Sequence, residues 1–384
     1  MIKTREIVIS AAMFLAASSI GSGAEAASTQ TLQPVDGADL PLENSPIWDH
    51  SFTVRGGVGY KDNVLLNKHN RQKSGFWLSA GDFFLIREQG HGNHLTAFGT
   101  FEDRRYFSAE GINKEQLGTG QIDFKRDLSA NWQAGVVLQY VYLDQVLDVS
   151  ITENISQAIP VRAHSLSGAP YLAVQLPWDM RLETRFEIER QFIKLPLDDF
   201  WEAGPEITVT KRYGNRSDLF ASYAFHERAY DNRRQFSLDF ETIPDTSLKF
   251  YKHILEAGVK HYWDADRRWR TTVKGAYERT EENGSGFYDY DKIRASIQGA
   301  YVQDSWEARL QGRVTHYQFD RQPVEFGNST ALGRTEWNVN AQLRRNLWKT
   351  LAVFVESDHE WVESNFNIDS YHANTVMAGA EFEF

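Results

Sequence analysis

Eleven histidines, set among serines and acids, are the residues of this chain best able to move protons or hold a metal. His91 and His94, in the run HGNH, have a spacing that could serve a metal ion. They fall in a short turn with no acid beside them, so a plain turn is expected and no metal site. His164, Ser165, His226, Glu227, His316 and His359 lie near the ends of extended segments, where a nucleophile, a base and an orienting acid could assemble a hydrolase. Nothing in their spacing brings them together. No G-x-S-x-G, H-E-x-x-H, P-loop or complete G-x-G-x-x-G occurs in a fitting context, so neither an enzyme nor a cofactor is expected. The absence of cysteine excludes thiolate ligands and disulfides, and a formal net charge of −11 argues against a nucleic-acid partner.

Charge at alternate positions is the more informative chemistry. In MRLETRFEIER (Met180 to Arg190), Leu182, Thr184, Phe186 and Ile188 share one face of a strand, while Glu183, Arg185, Glu187 and Glu189 share the other. Charges crowded on one strand face require water or ionic partners beside them. The same alternation recurs in WQAGVVLQYVY (Trp132 to Tyr142), WRTTVKGAY (Trp269 to Tyr277), KIRASIQGAYV (Lys292 to Val302) and WEARLQGRVTHY (Trp306 to Tyr317). From Ser51 onward about sixteen such segments can be counted, and almost none with a sustained helical period.

The elements that must position these faces follow from the rest of the chain. Residues 1–26 have the form of a secretory signal peptide: Lys3 and Arg5, an apolar run from Ile7 to Ile20, then Ala24 and Ala26 before a cut. That run is shorter than the roughly 20 residues needed to span a bilayer, so export rather than anchoring is expected. Residues 27–50 read as a short periplasmic lead-in, and residues 51–384 as one domain. Its connections alternate between short ones, such as QLPWD and RRNLWK, and long ones, such as DNRRQFSLDFETIPDTS. Short turns at one end and long loops at the other mark an outer-membrane barrel. Trp132, Trp178, Trp263, Trp269, Trp306 and Trp348 lie in or beside the short connections, where indoles would form the periplasmic girdle.

The expected fold is therefore all-β: a transmembrane, antiparallel up-and-down β-barrel of about 16 strands, with about 14 to 18 allowed. It would sit in the outer membrane of a Gram-negative-type bacterium, with membrane lipid around it, and an oligomer of identical barrels is compatible with that. The last strand, NTVMAGAEFEF, would turn Val376, Ala378, Ala380, Phe382 and Phe384 to lipid and Glu381 and Glu383 to a wet interior. It must pair with SFTVRGGVGY (Ser51 to Tyr60), because an open edge cannot stand in hydrocarbon. A terminal Phe384 on such a strand resembles the signal read by the barrel assembly machinery.

In GGVGYKDNVLL (Gly56 to Leu66), the residues Gly59, Tyr60, Asp62, Asn63 and Val64 resemble the opening hairpin of the β-barrel porin 2 family. Lys61 stands where that family commonly has an acid. The resemblance implies an outer-membrane barrel with no established catalytic residues. Physically, Asp62 and Asn63 are expected to form a local turn at the top of the first strand.

A barrel of this size can leave an aqueous channel, and passive diffusion of small hydrophilic solutes is the expected function. Two alternatives are an accessory barrel for exopolysaccharide export and an outer-membrane hydrolase. Alternation turns Arg185, Arg212, Lys260, Lys274, Arg294, Arg309 and Arg313 inward as pore-lining bases, with Glu187, Glu256 and Glu307 among the facing acids. Near-balance predicts weak ion selectivity, unless the two signs segregate to opposite walls. The long connection DQVLDVSITENISQAIP (Asp144 to Pro160) is the third external loop, which in general porins folds inward. It carries Asp144, Asp148 and Glu153, which would then oppose Arg185, Arg212, Arg309 or Arg313; an ordinary solvated loop is the other reading.

Overall fold

The structure, a computed structural model, describes residues 48–384 except 90, 91, 152–157, 195, 196, 215 and 326–328. Among the described residues there are sixteen strands. They are β1 (Trp48–Lys61), β2 (Ser74–Gln89), β3 (Asn93–Tyr106), β4 (Lys114–Asp127), β5 (Trp132–Asp148), β6 (Ala158–Leu176), β7 (Met180–Ile193) and β8 (Phe200–Tyr213). There follow β9 (Ser217–Tyr230), β10 (Lys249–Tyr262), β11 (Trp269–Glu282), β12 (Tyr290–Gln303), β13 (Trp306–Pro323), β14 (Ala331–Asn346), β15 (Leu351–Ser364) and β16 (Tyr371–Glu383). Each pairs antiparallel with its neighbours in sequence, and β16 returns to β1, so the sheet closes on itself. The leader 1–26 lies outside the described residues, as does the lead-in up to residue 47. Trp48, Asp49 and His50, expected in that lead-in, instead begin β1 and pair with Arg87, Ile86 and Leu85 of β2.

Closure is tight where β1 meets β16. Gly57 and Gly379 face each other in register; a Cβ on Gly57 would lie 2.5 Å from Ala378 O, and one on Gly379 would lie 2.2 Å from Gly56 O. Only glycine permits that approach without moving the opposite backbone.

Side-chain alternation gives the barrel an inverted solubility pattern. Val54, Phe83, Ile122, Leu138, Phe186, Ile188, Leu255, Ile293, Ile297, Leu310, Val355 and Phe382 are exposed on the outside, while Asp82, Glu115, Glu189, Glu202, Arg228, Lys252 and Arg334 are buried inside. All eleven tryptophans are exposed, including the six beside the short connections; Trp77, Trp201, Trp337 and Trp361 lie toward the other rim. A water-soluble barrel would bury those indoles. Two belts of exposed aromatics around an apolar band are what a lipid-embedded barrel requires.

At the end away from the chain start, several connections turn inward. Val64 and Leu66, after β1, pack with Phe76, Leu78, Tyr371 and Met377 on the inner wall. Asn63 fixes that turn: its Nδ2 donates to Asn67 O (3.0 Å) and His372 O (2.8 Å), and its Oδ1 accepts from Asn67 N (3.1 Å). Asp62 accepts from the backbone N–H of Asn374 at 2.7 Å. The expected local turn is present, and it also ties the first loop to β16. Beyond β9 and β11, Leu248, Phe287 and Tyr288 cap Phe200, Tyr230 and Phe250.

Candidate functional site in the barrel lumen

Inside the barrel, lateral neighbours two or three strands apart are joined by charge. Lys61 Nζ on β1 reaches Glu115 Oε1 on β4 at 3.1 Å, and Tyr106 OH donates to the same carboxylate at 2.6 Å. Glu202 on β8 accepts from Arg228 Nε (2.6 Å) and Lys252 Nζ (3.1 Å), with His226 Nδ1 at 3.2 Å. Pairs of this kind stay ionised only if the lumen lends them water or each other, since an unpaired buried charge costs several kcal/mol.

The lining bases and acids anticipated from alternation all fall on inward positions. Arg185 holds Glu183 (2.5 Å) and approaches Glu206 (3.8 Å). Glu256 lies between Arg294 (3.1 Å) and Lys274 (3.8 Å). Arg309 pairs with Glu307, both buried on β13. Lys260 and Arg212 each lie 3.8 Å from Asp218 at the end carrying the short turns, and Arg212 is half exposed there. Arg313 lies on the inner face of β13, opposite Ser296 and Asn338. Glu187 is buried on β7.

The two signs are not evenly mixed around the wall. On β10–β14 the inward bases Lys252, Lys260, Arg270, Lys274, Lys292, Arg294, Arg309, Arg313, Arg334 and Arg344 outnumber Glu256, Glu278, Glu282, Glu307 and Glu336. From β15 through β1 to β8 the balance reverses: Glu356, Asp358, Glu360, Glu381, Asp82, Glu102, Glu115, Asp123, Glu183, Glu187, Glu189, Glu202 and Glu206 face Arg55, Lys61, Arg104, Lys125, Arg181, Arg185 and Arg212. Alternation alone had implied a nearly balanced lumen, unless the two signs segregated to opposite walls. The strand order converts that balance into a transverse field.

The third external connection is shorter than its sequence suggests, because β5 runs on to Asp148 and β6 begins at Ala158. Asp144 is therefore not a loop residue. It lies on the outer face of β5, paired with Arg162 (2.8 Å) and Lys114 (3.1 Å), and cannot oppose a lumen base. Glu153 lies outside the described residues. Asp148 does turn inward, but toward none of the four arginines anticipated: its Oδ2 meets Arg334 Nη2 of β14 at 2.7 Å, and Ser150 Oγ accepts from Arg334 Nη1 at 2.5 Å. Ile151 continues across to Tyr290, Tyr317, Phe319 and Leu332. The top of the β5–β6 hairpin thus crosses the lumen to the basic wall.

Asp369, in the short 3-10 turn Asn367–Asp369 between β15 and β16, joins this contact. Burial and the neighbouring Asp148 carboxylate push it up to about 7, against the pull of Arg334. Neither Arg334 nor Asp369 stood out in the sequence. Arg334 fits the alternation of β14, but only the closed topology reveals what lies opposite it.

Of the residues considered for hydrolysis, Ser165 donates to Glu189 (2.5 Å), and His226 is bound to Glu202. His164, His316 and His359 point outward, to Tyr140, Thr335 and Asn374, and Glu227 pairs with Lys249. These residues do not converge. His94 lies 3.4 Å from Asp127, and His91 lies outside the described residues. Among the described residues no group of three or more His, Cys, Asp or Glu is arranged to hold a metal ion.

No protein-family model matches the chain, and no curated protein matches it, so the resemblance at Gly56 to Leu66 is not extended by either. Solved structures of similar shape include OccAB4 of Acinetobacter baumannii, at 10% identity over 89% of this chain and 99% of that one, with a TM-score of 0.47. Others are an anion-selective porin from Comamonas acidovorans (11%, 88% and 99%, TM-score 0.43) and the outer membrane protein OprD of Pseudomonas aeruginosa (10%, 88% and 94%, TM-score 0.44). At such identities no lumen residue can be carried over from them.

Proposed function

We propose that the chain is a porin-like pore of the outer membrane of a Gram-negative-type bacterium, passing small hydrophilic solutes by diffusion. The supporting observation is the Asp148–Arg334 contact, which sets an acidic hairpin tip against the basic wall of a charge-lined lumen. A transverse field at a narrowing aligns small polar solutes and disfavours bulky apolar ones, which find no compensating dipole. The exopolysaccharide alternative would want a continuous basic or aromatic track, and the bases of the β10–β14 wall are instead interrupted by Glu256, Glu278, Glu307 and Glu336, with which several of them pair. The β-barrel porin 2 resemblance is compatible with this reading. Purified full chain in a planar bilayer should give discrete, roughly ohmic single-channel currents; a heat-modifiable, inserted barrel that never conducts would remove the proposal.

A further inference from the structure

On the outer face, at the rim that carries the long connections, β14, β15 and β16 leave an open groove of about 440 Å³ lined by Val339, His359, Glu360, Trp361, His372 and Asn374. Register explains its shape. Trp337, Trp361 and His372 stand in one lateral row, Val339, His359 and Asn374 in the row beneath it, and Ala341, Ser357 and Val376 in the next. The upper row belongs to the aromatic belt, with the two indoles 6.3 Å apart, and Val339, Ala341 and Ser357 are too short to fill the space under it. Glu360 lies at the floor, its carboxylate turned inward to accept from Tyr371 OH at 2.8 Å.

In the lower rows the polar atoms bond to one another. Asp62 accepts from Asn374 Nδ2 (2.6 Å) and from its backbone N–H (2.7 Å), Asn374 Oδ1 accepts from His359 Nδ1 (2.7 Å), and Ser357 Oγ lies 3.0 Å from His359 Nε2. What remains to line the space is largely apolar, the surfaces of Val339, Trp361 and the His359 ring, and it suits hydrocarbon. The lip is different. Arg71, from the connection after β1, lays its guanidinium on His372, with Nη1 2.6 Å from Nε2 and Nη2 3.3 Å from Nδ1. A guanidinium only donates and a neutral imidazole has one lone pair, so one approach is a hydrogen bond and the other sets N–H against N–H. Elsewhere on this rim outward bases hold carboxylates: Arg105 that of Asp103 (2.7 Å), Arg190 that of Asp231 (2.5 Å) and Arg279 that of Asp320 (2.6 Å). Among the described residues no carboxylate lies within ion-pair distance of Arg71. Asp62 is engaged by Asn374, and Glu363, one outward step above Trp361, does not reach Arg71.

We propose that the groove is a binding site for a phosphorylated lipid of the outer leaflet, seated with its phosphate at Arg71 and His372 and an acyl chain along Val339 and Trp361. Phosphate oxygens accept from Arg71 and from His372 Nδ1 together, which supplies the counter-charge that the lip lacks. The chain then runs down beneath the indole belt, where a lipid of that leaflet has its hydrocarbon. The cation at the lip singles out this occupant over a purely apolar one. The inference uses the barrel's place in the outer membrane and not its conduction, so a barrel that fails to conduct bears on the pore alone.

The test is native mass spectrometry of detergent-solubilised full chain titrated with diphosphoryl lipid A, with the same lipid stripped of both phosphates as the control. Arg71 and Val339 are both exposed, so their variants are expected to fold, and heat-modifiable migration checks it. A saturable lipid adduct is expected in the wild type, weaker by about tenfold in Arg71→Gln, which loses the charge but keeps an amide for His372. A similar loss is expected in Val339→Trp, which fills the groove without touching the lip. The phosphate-free lipid should give no saturable adduct. Equal binding in the wild type and both variants would reduce the lipid to unspecific coating of the barrel and overturn the site, as would equal binding of the phosphate-free lipid. Loss in Arg71→Gln alone would leave an anion contact with no seated chain and overturn the groove. Dimers that disappear in Val339→Trp would overturn it in favour of a second copy of the chain.

Discussion

Asp148 at the tip of β5 and Arg334 on β14 meet at 2.7 Å although their strands stand on opposite sides of the barrel, and both side chains are almost wholly buried. A pair placed so holds the hairpin top against the wall, while the same guanidinium also holds Glu336 of its own strand at 2.8 Å, so Arg334 keeps one carboxylate when Asp148 is neutralised. Asp148→Asn should therefore cost about 1–3 kcal/mol, the loss of a buried charge-assisted hydrogen bond, and release the tip, raising single-channel conductance. Joint replacement by apolar residues, Asp148→Leu with Arg334→Met, should not recover the loss, because Glu336, 2.8 Å from Arg334, is then left buried without its cation. Bilayer recordings and thermal unfolding of the two variants check both parts; unchanged conductance in Asp148→Asn would show that the tip does not narrow the path.

Asp369 makes the same contact sensitive to pH. Its acidity is held up near 7 by burial and by Asp148, whereas an unfolded aspartate ionises near 4. Between those values the folded chain holds a proton that the unfolded chain has released, so this group's contribution to stability falls as pH rises toward 7. The loop carrying Asp369 should therefore sit more firmly on the hairpin at pH 5 than at pH 8, with quieter currents at the lower pH. Asp369→Asn should flatten that dependence, and a slope unaffected by the substitution would place its origin in another group.

Which residues face inward was legible in the sequence, because lipid on one side and water or partners on the other enforce strict alternation from Arg185 to Glu187 to Glu189. Closure of β16 on β1 was legible for the same reason. Where β5 ends was not: DQVLD contains no Gly or Pro to stop a strand, so Asp144 read as loop while the ladder continued to Asp148. Pro160 read as loop for the converse reason, yet it sits in β6 on the outer face, opposite Val146. The inward fold of Val64, Ile151 and Phe287 was hidden as well, since each is an apolar residue in a polar loop whose partners are set by topology and not by spacing.

Ala295 and Ala341 sit near the middle of β12 and β14 on the lipid side, while Gln298 and Gln342 point to the lumen. Arginine at either alanine should destabilise the barrel by roughly 2–4 kcal/mol, the cost of a cation near the bilayer midplane. At either glutamine it should cost much less, because the lumen already houses Arg294, Arg309 and Arg344. Unfolding from lipid vesicles by denaturant ranks the four variants, and a reversed order would mean that the faces are exchanged.

Phe384 stands at the seam where the sheet closes. Its backbone N–H donates to Phe52 O at 2.8 Å, its ring lies 6.1 Å from that of Phe52, and three-quarters of its surface is open to the lipid side. Two roles are thus combined in one residue: an interfacial anchor, whose loss affects any folded barrel, and the aromatic end that the assembly machinery would read. They separate by where folding takes place. Phe384→Leu keeps an apolar side chain and the backbone bond, so refolding of the purified chain into detergent should be nearly unchanged. In cells the same variant should reach the outer membrane in reduced amount, and Phe384→Asp in smaller amount still. Normal cellular yield of heat-modifiable barrel for both variants would leave Phe384 with the anchoring role only, and a refolding defect in vitro matching the cellular one would trace the loss to the seam with Phe52.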